Sequence, residues 1–206
     1  MMIKMLLLLA FAGHTLCWMC DMLLIYAPGG KFSFECLKDN QKMAKVFAGM
    51  SLKKPLASML LGLLALMMSF GGYFALYEWM KQFSTVYAVI MITAAVVFFI
   101  SGAAHHVFCG AVEWFYIRMG RTEEARETAL DFFKSTLSAM YVCYLGQAVS
   151  VITLFIAVVM GNTSLPRWGC IFNVAPIYFI LMLLKAPGAG NLAGMIMFLG
   201  LFFIMQ

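Results

Sequence analysis

Charged residues are scarce in this sequence. Only 11% of its 206 residues are Asp, Glu, Lys or Arg, whereas 64% are hydrophobic, and the mean hydropathy is +0.94. A soluble domain has about 25% charged and roughly 45–50% apolar residues, so it could not bury this much apolar surface in its own core. A bilayer removes the difficulty, because lipid-facing side chains need no burial in protein. The composition therefore excludes a water-soluble fold and predicts an all-α, polytopic membrane bundle.

Common enzyme motifs are also absent. The sequence has no Gly-x-x-x-x-Gly-Lys, no Gly-x-Ser-x-Gly and no His-Glu-x-x-His. The net charge of +5 is clustered in two segments, which fits lipid-headgroup contact rather than nucleic-acid binding. The six cysteines lie mostly in apolar runs, which argues against a secreted disulfide framework. We expect membrane lipids as partners and no nucleic acid, with a second copy of the chain or another membrane protein as further candidates.

Long apolar runs divide the chain into six candidate spans, because a helix needs about 20 apolar residues to cross a core of about 30 Å. The predicted spans are residues 3–26, 55–80, 84–119, 135–160, 165–185 and 188–206. The third is so long that it must tilt, protrude or break near Gly102, and Pro176 predicts a kink in the fifth. The whole chain, 1–206, is predicted to be one transmembrane domain.

Two connections, residues 31–54 and 118–134, carry most of the positive charge. Within the first, residues 37–50 place apolar side chains among lysines and predict a short amphipathic helix on the membrane surface. Because Lys and Arg are enriched in cytoplasmic loops, both connections are predicted to be cytoplasmic and both termini outside. The expected location is the cell membrane, as a multi-pass protein.

The first and third predicted spans carry the same polar pattern, a histidine followed after three residues by a cysteine and after four more by a carboxylate. The six residues are His14, Cys17, Asp21, His106, Cys109 and Glu113. Offsets of three and seven residues share one face of a helix, so each span presents these groups as a stripe. If the two helices pack side by side, the histidines lie at similar depth and the stripes form one site.

Such a site suits three kinds of role. Imidazole and thiolate are ligands of zinc and other transition metals. The predicted metal ligands are His14, Cys17, His106 and Cys109. Without a metal, histidines and carboxylates can transfer protons as acids and bases. The predicted acid–base residues are His14, Asp21, His106 and Glu113. The third interpretation is structural, in which each histidine only hydrogen-bonds a neighbouring helix.

Two uncharged polar residues extend the candidate site. Gln147 lies in the fourth predicted span, and Asn173 lies one turn before Pro176 in the fifth. Polar residues within spans usually face a bundle interior or a cavity. We therefore predict a cavity lined by the first, third and fifth spans. Residues 188–191 predict a tight turn and a helix cap before the last span.

Three functions are consistent with these features. One is acid–base or metal-assisted chemistry on a lipid-like apolar substrate. Another is a proton- or ion-coupled transporter or channel that uses the same residues. The last is a non-enzymatic structural or partner subunit that docks through residues 37–50.

Several short motifs resemble those of a known group of proteins. They are Asp21 with residues 22–26, residues 165–168 with Phe172, Asn173 and Pro176 after them, and Gly190 with Asn191. In these motifs the chain resembles a family of small bacterial multi-span inner-membrane proteins of similar length that has no established activity. The resemblance implies about six helices in a bacterial inner membrane and transfers no activity.

Overall fold

The computed structural model describes residues 1–205, so Gln206 of the last predicted span lies outside the described residues. These residues form seven α-helices, two 3-10 helices (Phe34–Lys38 and Arg167–Phe172) and a hairpin of β1 (Tyr26–Ala27) with β2 (Gly30–Lys31). The α-helices are α1 (Met2–Ile25), α2 (Asn40–Val46), α3 (Lys53–Met80), α4 (Thr85–Arg118), α5 (Glu123–Val159), α6 (Val174–Leu183) and α7 (Ala189–Ile204). The predicted all-α class is confirmed.

Four helices, α1, α3, α4 and α5, are long and apolar enough to cross a membrane. The shortest of them, α1, has 24 residues and measures roughly 36 Å, against a bilayer core of about 30 Å. The helices α6 and α7 are shorter, with 10 and 16 residues. The chain therefore has the helices of a multi-pass membrane protein, as predicted, whereas the count of six spans is not confirmed.

Small residues bring α1 and α3 into close antiparallel contact. Gly13 of α1 lies against the backbone of Ser69, and a side chain larger than hydrogen would collide there. Nearer the other end of the pair, Ser58 Oγ donates a hydrogen bond to Cys20 O at 2.9 Å. Small residues commonly allow helix backbones to approach each other in membrane bundles.

The long helix α4 is continuous through Gly102. It lies antiparallel to α3, because Gly62 meets His106 whereas Tyr73, later in α3, meets Phe99. Helices α1 and α4 therefore run parallel, with α3 between them. The sequence predicted that this helix would tilt, protrude or break near Gly102, and its continuity excludes the break. The last turns of α4 instead extend past the end of α1 and pack against the connection that follows it.

The two charged connections fold together at one end of the bundle, here called the charged end (residues 26–54 and 118–134). Within predicted residues 37–50, the α-helix α2 covers only Asn40–Val46. The apolar side chains of this segment are buried in the protein, because the protruding ends of α4 and α5 offer them an apolar surface. Arg126 Nη1 adds a hydrogen bond to Leu37 O at 2.8 Å. The membrane-surface face predicted for this segment is thus occupied by the protein itself.

The predicted fifth span is not a single helix. The 3-10 helix Arg167–Phe172 ends at Asn173, which is extended, and α6 begins directly after it. Asn173 Oδ1 accepts a hydrogen bond from Ala175 N at 2.9 Å, and Nδ2 donates to Val151 O at 2.9 Å. Pro176 lies in the first turn of α6, where its missing N–H breaks no helical bond. The kink expected at Pro176 is therefore a helix start.

Candidate metal site

A cysteine, a carboxylate and a histidine meet where α1 faces α4. Cys17 and Asp21 come from α1 and His106 from α4, and one ligand atom of each lies within 4.8 Å of the others. Asp21 Oδ1 is 3.7 Å from His106 Nδ1. Cys17 and His106 are buried, whereas 23% of the Asp21 side chain is exposed. Thiolate, carboxylate and imidazole are all ligands of zinc and related transition metals.

Helix α3 fixes the orientation of His106. The Nε2 of His106 lies 3.1 Å from the carbonyl oxygen of Ser58, which can only accept, so Nε2 donates, and Nδ1 faces Asp21. Gly62 leaves room for the ring, because a methyl group at this position would collide with it. Metal-binding histidines usually donate their second N–H to a carbonyl or carboxylate in this way. The imidazole is thus already oriented as a ligand.

Helix α7 holds the carboxylate. Asn191 Nδ2 donates to Asp21 Oδ2 at 2.8 Å, and Asn191 Oδ1 lies 3.1 Å from His14 Nδ1. Because the amide oxygen only accepts, His14 Nδ1 must be the donor. Asn191 lies within α7, which begins after Gly188, a residue with a left-handed φ of 66°. The helix cap expected at Asn191 is therefore a bridge between two side chains of α1.

His14 itself lies outside the three-residue group. Its ring stacks on Phe198 with centroids 5.5 Å apart, and Gly194 provides the space that the ring occupies. Its Nε2 is buried without a hydrogen-bond partner. The bond from His14 to Asn191 is a helix-to-helix contact of the kind that the structural interpretation expects.

The remaining residues of the α4 stripe also lie outside the group. Cys109 Sγ is 3.7 Å from both ring nitrogens of His105, whose ring faces Tyr144 at 6.4 Å. Glu113 is fully buried, and neither of its carboxylate oxygens has a hydrogen-bond partner. Burying a carboxylate without a hydrogen-bond partner is costly.

The two stripes are displaced along the bundle. The repeated spacing predicts that His14 and His106 are level, but His106 is level with Asp21, about 10 Å and two helical turns from His14. The stripes therefore lie end to end rather than side by side. Only Cys17 and Asp21 of the α1 stripe and His106 of the α4 stripe belong to the three-residue group.

A family model matches the whole chain, residues 1–206. The chain belongs to a family of unknown function, DUF6796. Neither the curated proteins nor the solved structures contain a significant match. The predicted membership in a family without an established activity is confirmed, while the bacterial origin of this DUF6796 protein stays a prediction.

The two uncharged candidates of this DUF6796 protein have different surroundings. Asn173 is buried and joins α6 to α5, whereas Gln147 is half-buried on α5. The sequence analysis missed the roles of Ser58 and Asn191, which hold the ligands in place. An amide within the apolar run of α7 was a usable signal for Asn191, because polar residues in spans usually have partners there. Ser58 gives a weaker signal, because its shorter contact with His106 Nε2 is made by the backbone carbonyl, at 3.1 Å against 3.5 Å for its hydroxyl.

Proposed function

We propose that the protein is an integral membrane metalloprotein that binds a transition metal such as zinc through Cys17, Asp21 and His106. One observation carries the proposal. Three ligand types converge from two helices, and two of the ligands are held in place by groups outside the set. His106 donates to Ser58 O, and Asp21 accepts from Asn191. Such outer contacts typically orient the ligands of real metal sites.

The number of ligands favours a catalytic site. Structural zinc sites have four protein ligands, whereas catalytic sites have three and leave a position open. A metal at such a site supplies Lewis-acid chemistry and activates a water molecule. Cys17 and Asp21 would neutralise a divalent ion, and the partial exposure of Asp21 leaves one side of the group open. Because the helices around it are apolar, the substrate that fits this position is lipid-like.

Metal content measured by mass spectrometry tests the proposal. We expect wild-type protein purified without chelators to carry near-stoichiometric metal, and His106→Ala to lose it. His105→Ala is the matched control, because His105 neighbours His106 in sequence and lies outside the group. Cys17→Ser and Cys20→Ser form a second pair of the same kind on α1. Wild-type protein that stays metal-free after growth with added zinc, or metal that survives both His106→Ala and Cys17→Ser, would refute the proposal.

A metal-free role is the second candidate, and the 3.7 Å separation of Asp21 Oδ1 and His106 Nδ1 favours it. A histidine beside a carboxylate can accept and return a proton, so this pair suits acid–base chemistry. His14 and Glu113 remain predicted members of such a system. Wild-type protein without metal would favour this candidate. A lipid-modifying activity that disappears on chelation and returns with zinc would exclude it.

A further inference from the structure

The turn between α6 and α7, residues 184–188, lies beside the metal site. Trp18 Nε1 donates to Pro187 O at 3.1 Å. A Cβ atom at Gly188 would lie 3.3 Å from Asp21 Oδ2. The turn is therefore at the same level of the bundle as Asp21 and His106.

The bundle does not end at this level. Helix α4 continues from His106 to Arg118, roughly 18 Å further, and its last turns pack with the folded connections of the charged end. The hairpin of α6 and α7 stops short of that end. The turn and the metal site thus lie beside the protruding ends of α4 and α5. The surface formed by the turn (residues 184–188) and the metal site at this level is here called the step.

The turn has the properties of a segment at headgroup depth. Its backbone is irregular, with left-handed φ values of 54° at Lys185 and 66° at Gly188. Irregular backbone is tolerated in a membrane only where protein buries it or water reaches it. The side chain of Lys185 is exposed, and lysine and tryptophan are both typical of the membrane interface. Lys185 and Trp18 therefore place the turn, and with it Asp21, among the lipid headgroups.

Lys185 gives the step a positive charge. From residue 135 onwards the sequence contains two cations, Arg167 and Lys185, and no acidic residue. The Asp21 carboxylate at the same level already accepts a hydrogen bond from Asn191, with or without a metal. Lys185 therefore makes the step favourable for an anionic group.

We propose that the step binds the headgroup of an anionic lipid, with Lys185 paired to the headgroup phosphate and the acyl chains along α6. The exposed apolar face of α6 includes Phe179, Met182 and Leu183. This inference rests on the proposed function, because the lipid is the substrate class of the metal site. The contact between Lys185 and the phosphate does not itself require the metal, so it can be tested separately.

Native mass spectrometry of metal-free protein in detergent tests this contact. Equimolar phosphatidylglycerol and phosphatidylcholine are added, and the lipid that stays bound is counted. We expect wild type to prefer phosphatidylglycerol by about fivefold, the effect of one cation near a headgroup. Lys185→Gln should lose the preference, and Lys185→Arg should keep it. Arg167→Gln is the matched control, because Arg167 is also an exposed cation but lies in the segment before α6. This variant should keep the preference for phosphatidylglycerol.

Each other outcome overturns the inference. Equal retention of the two lipids by wild type, or an unchanged preference in Lys185→Gln, removes the role of Lys185. A parallel loss in Arg167→Gln shows a general charge effect. Displacement of phosphatidylglycerol by an equal concentration of glycerol phosphate shows a soluble phosphate site instead. Because the protein is metal-free, these results hold whether or not the wild type binds a metal.

Discussion

A single methyl group at Gly62 provides a sharp test of the metal site. Gly62 of α3 lies under the imidazole of His106, and a Cβ atom there would collide with the ring. Even Cε1, the farthest of the three nearest ring atoms, would be only 3.0 Å away, against about 3.5–4.0 Å for an ordinary carbon contact. In Gly62→Ala the ring must therefore retreat by at least about 0.5 Å.

Movement of the ring away from Gly62 disturbs the contacts of both ring nitrogens. Nε2 is held 3.1 Å from Ser58 O, and Nδ1 faces Asp21 at 3.7 Å. Ligand distances in metal sites vary by only about 0.2 Å, so the shift removes a ligand or its orienting bond. Loss of such an orienting contact typically weakens metal binding about 10–100-fold, and we expect this range for Gly62→Ala. Overpacking costs about 1–3 kcal/mol, but alanine favours the helix by about 1 kcal/mol, so the fold should survive.

Titration of the metal-free protein with cobalt, followed by absorption, measures the effect. Gly71→Ala is the control, because it makes the same substitution in the same helix. Its Cβ would meet Leu9 and Leu6 at 3.4 and 3.5 Å, which is ordinary contact. We expect Gly71→Ala to bind cobalt like wild type. Wild-type affinity in Gly62→Ala would show that His106 does not bind the metal from this position.

Three further outcomes follow from the structure. Asn191→Ala removes the donor to Asp21 and should weaken cobalt binding about 10–100-fold, and unchanged binding would contradict the role of Asn191. In protein lacking other accessible cysteines, Ala186→Cys in the α6–α7 turn should react with a membrane-impermeant maleimide. Leu183→Cys, one turn earlier on the exposed apolar face of α6, should not react, because we expect that face to lie in lipid. Equal labelling of the two would place the turn away from the headgroups. Tyr116→Phe loses the hydrogen bond to Asn40 Oδ1 at 2.7 Å and should destabilise the protein by about 0.5–1.5 kcal/mol in thermal unfolding. An unchanged unfolding temperature would show that this bond does not stabilise the charged end.

The long helices were predictable because their cause is local. Runs of apolar residues longer than the bilayer is thick have to be helical, and polar or glycine-rich breaks end them. The predicted 3–26, 55–80 and 84–119 therefore match α1, α3 and α4 to within one or two residues. Residues 37–50 also have the apolar face that the pattern predicts, but the sequence did not show which surface covers that face. The pattern shows that an apolar face exists, and only the fold shows whether lipid or protein covers it.

The last third of the chain was less predictable because apolar composition does not say where a helix stops. Residues 165–185 read as one run, yet Asn173 caps α6 with its own side chain and uses its amide to reach Val151 of α5. That second bond depends on the packing of α6 against α5, and Val151 is too far from Asn173 in the sequence for a local pattern to reveal it. Propensity for a continuous helix was overridden by one tertiary hydrogen bond and one cap.

The register of the site could not be read from the repeated stripes, because spacing along one helix says nothing about the offset to another. The glycines determine that offset. His106 lies against Gly62, His14 against Gly194, and Asp21 beside Gly188, so each polar side chain enters the bundle where a neighbouring helix or turn has no side chain. Close approach at small residues is the general device of membrane helix packing. In a chain of this composition, the pairing of glycines with polar residues on other helices therefore carries more information about a site than the spacing of histidines along one.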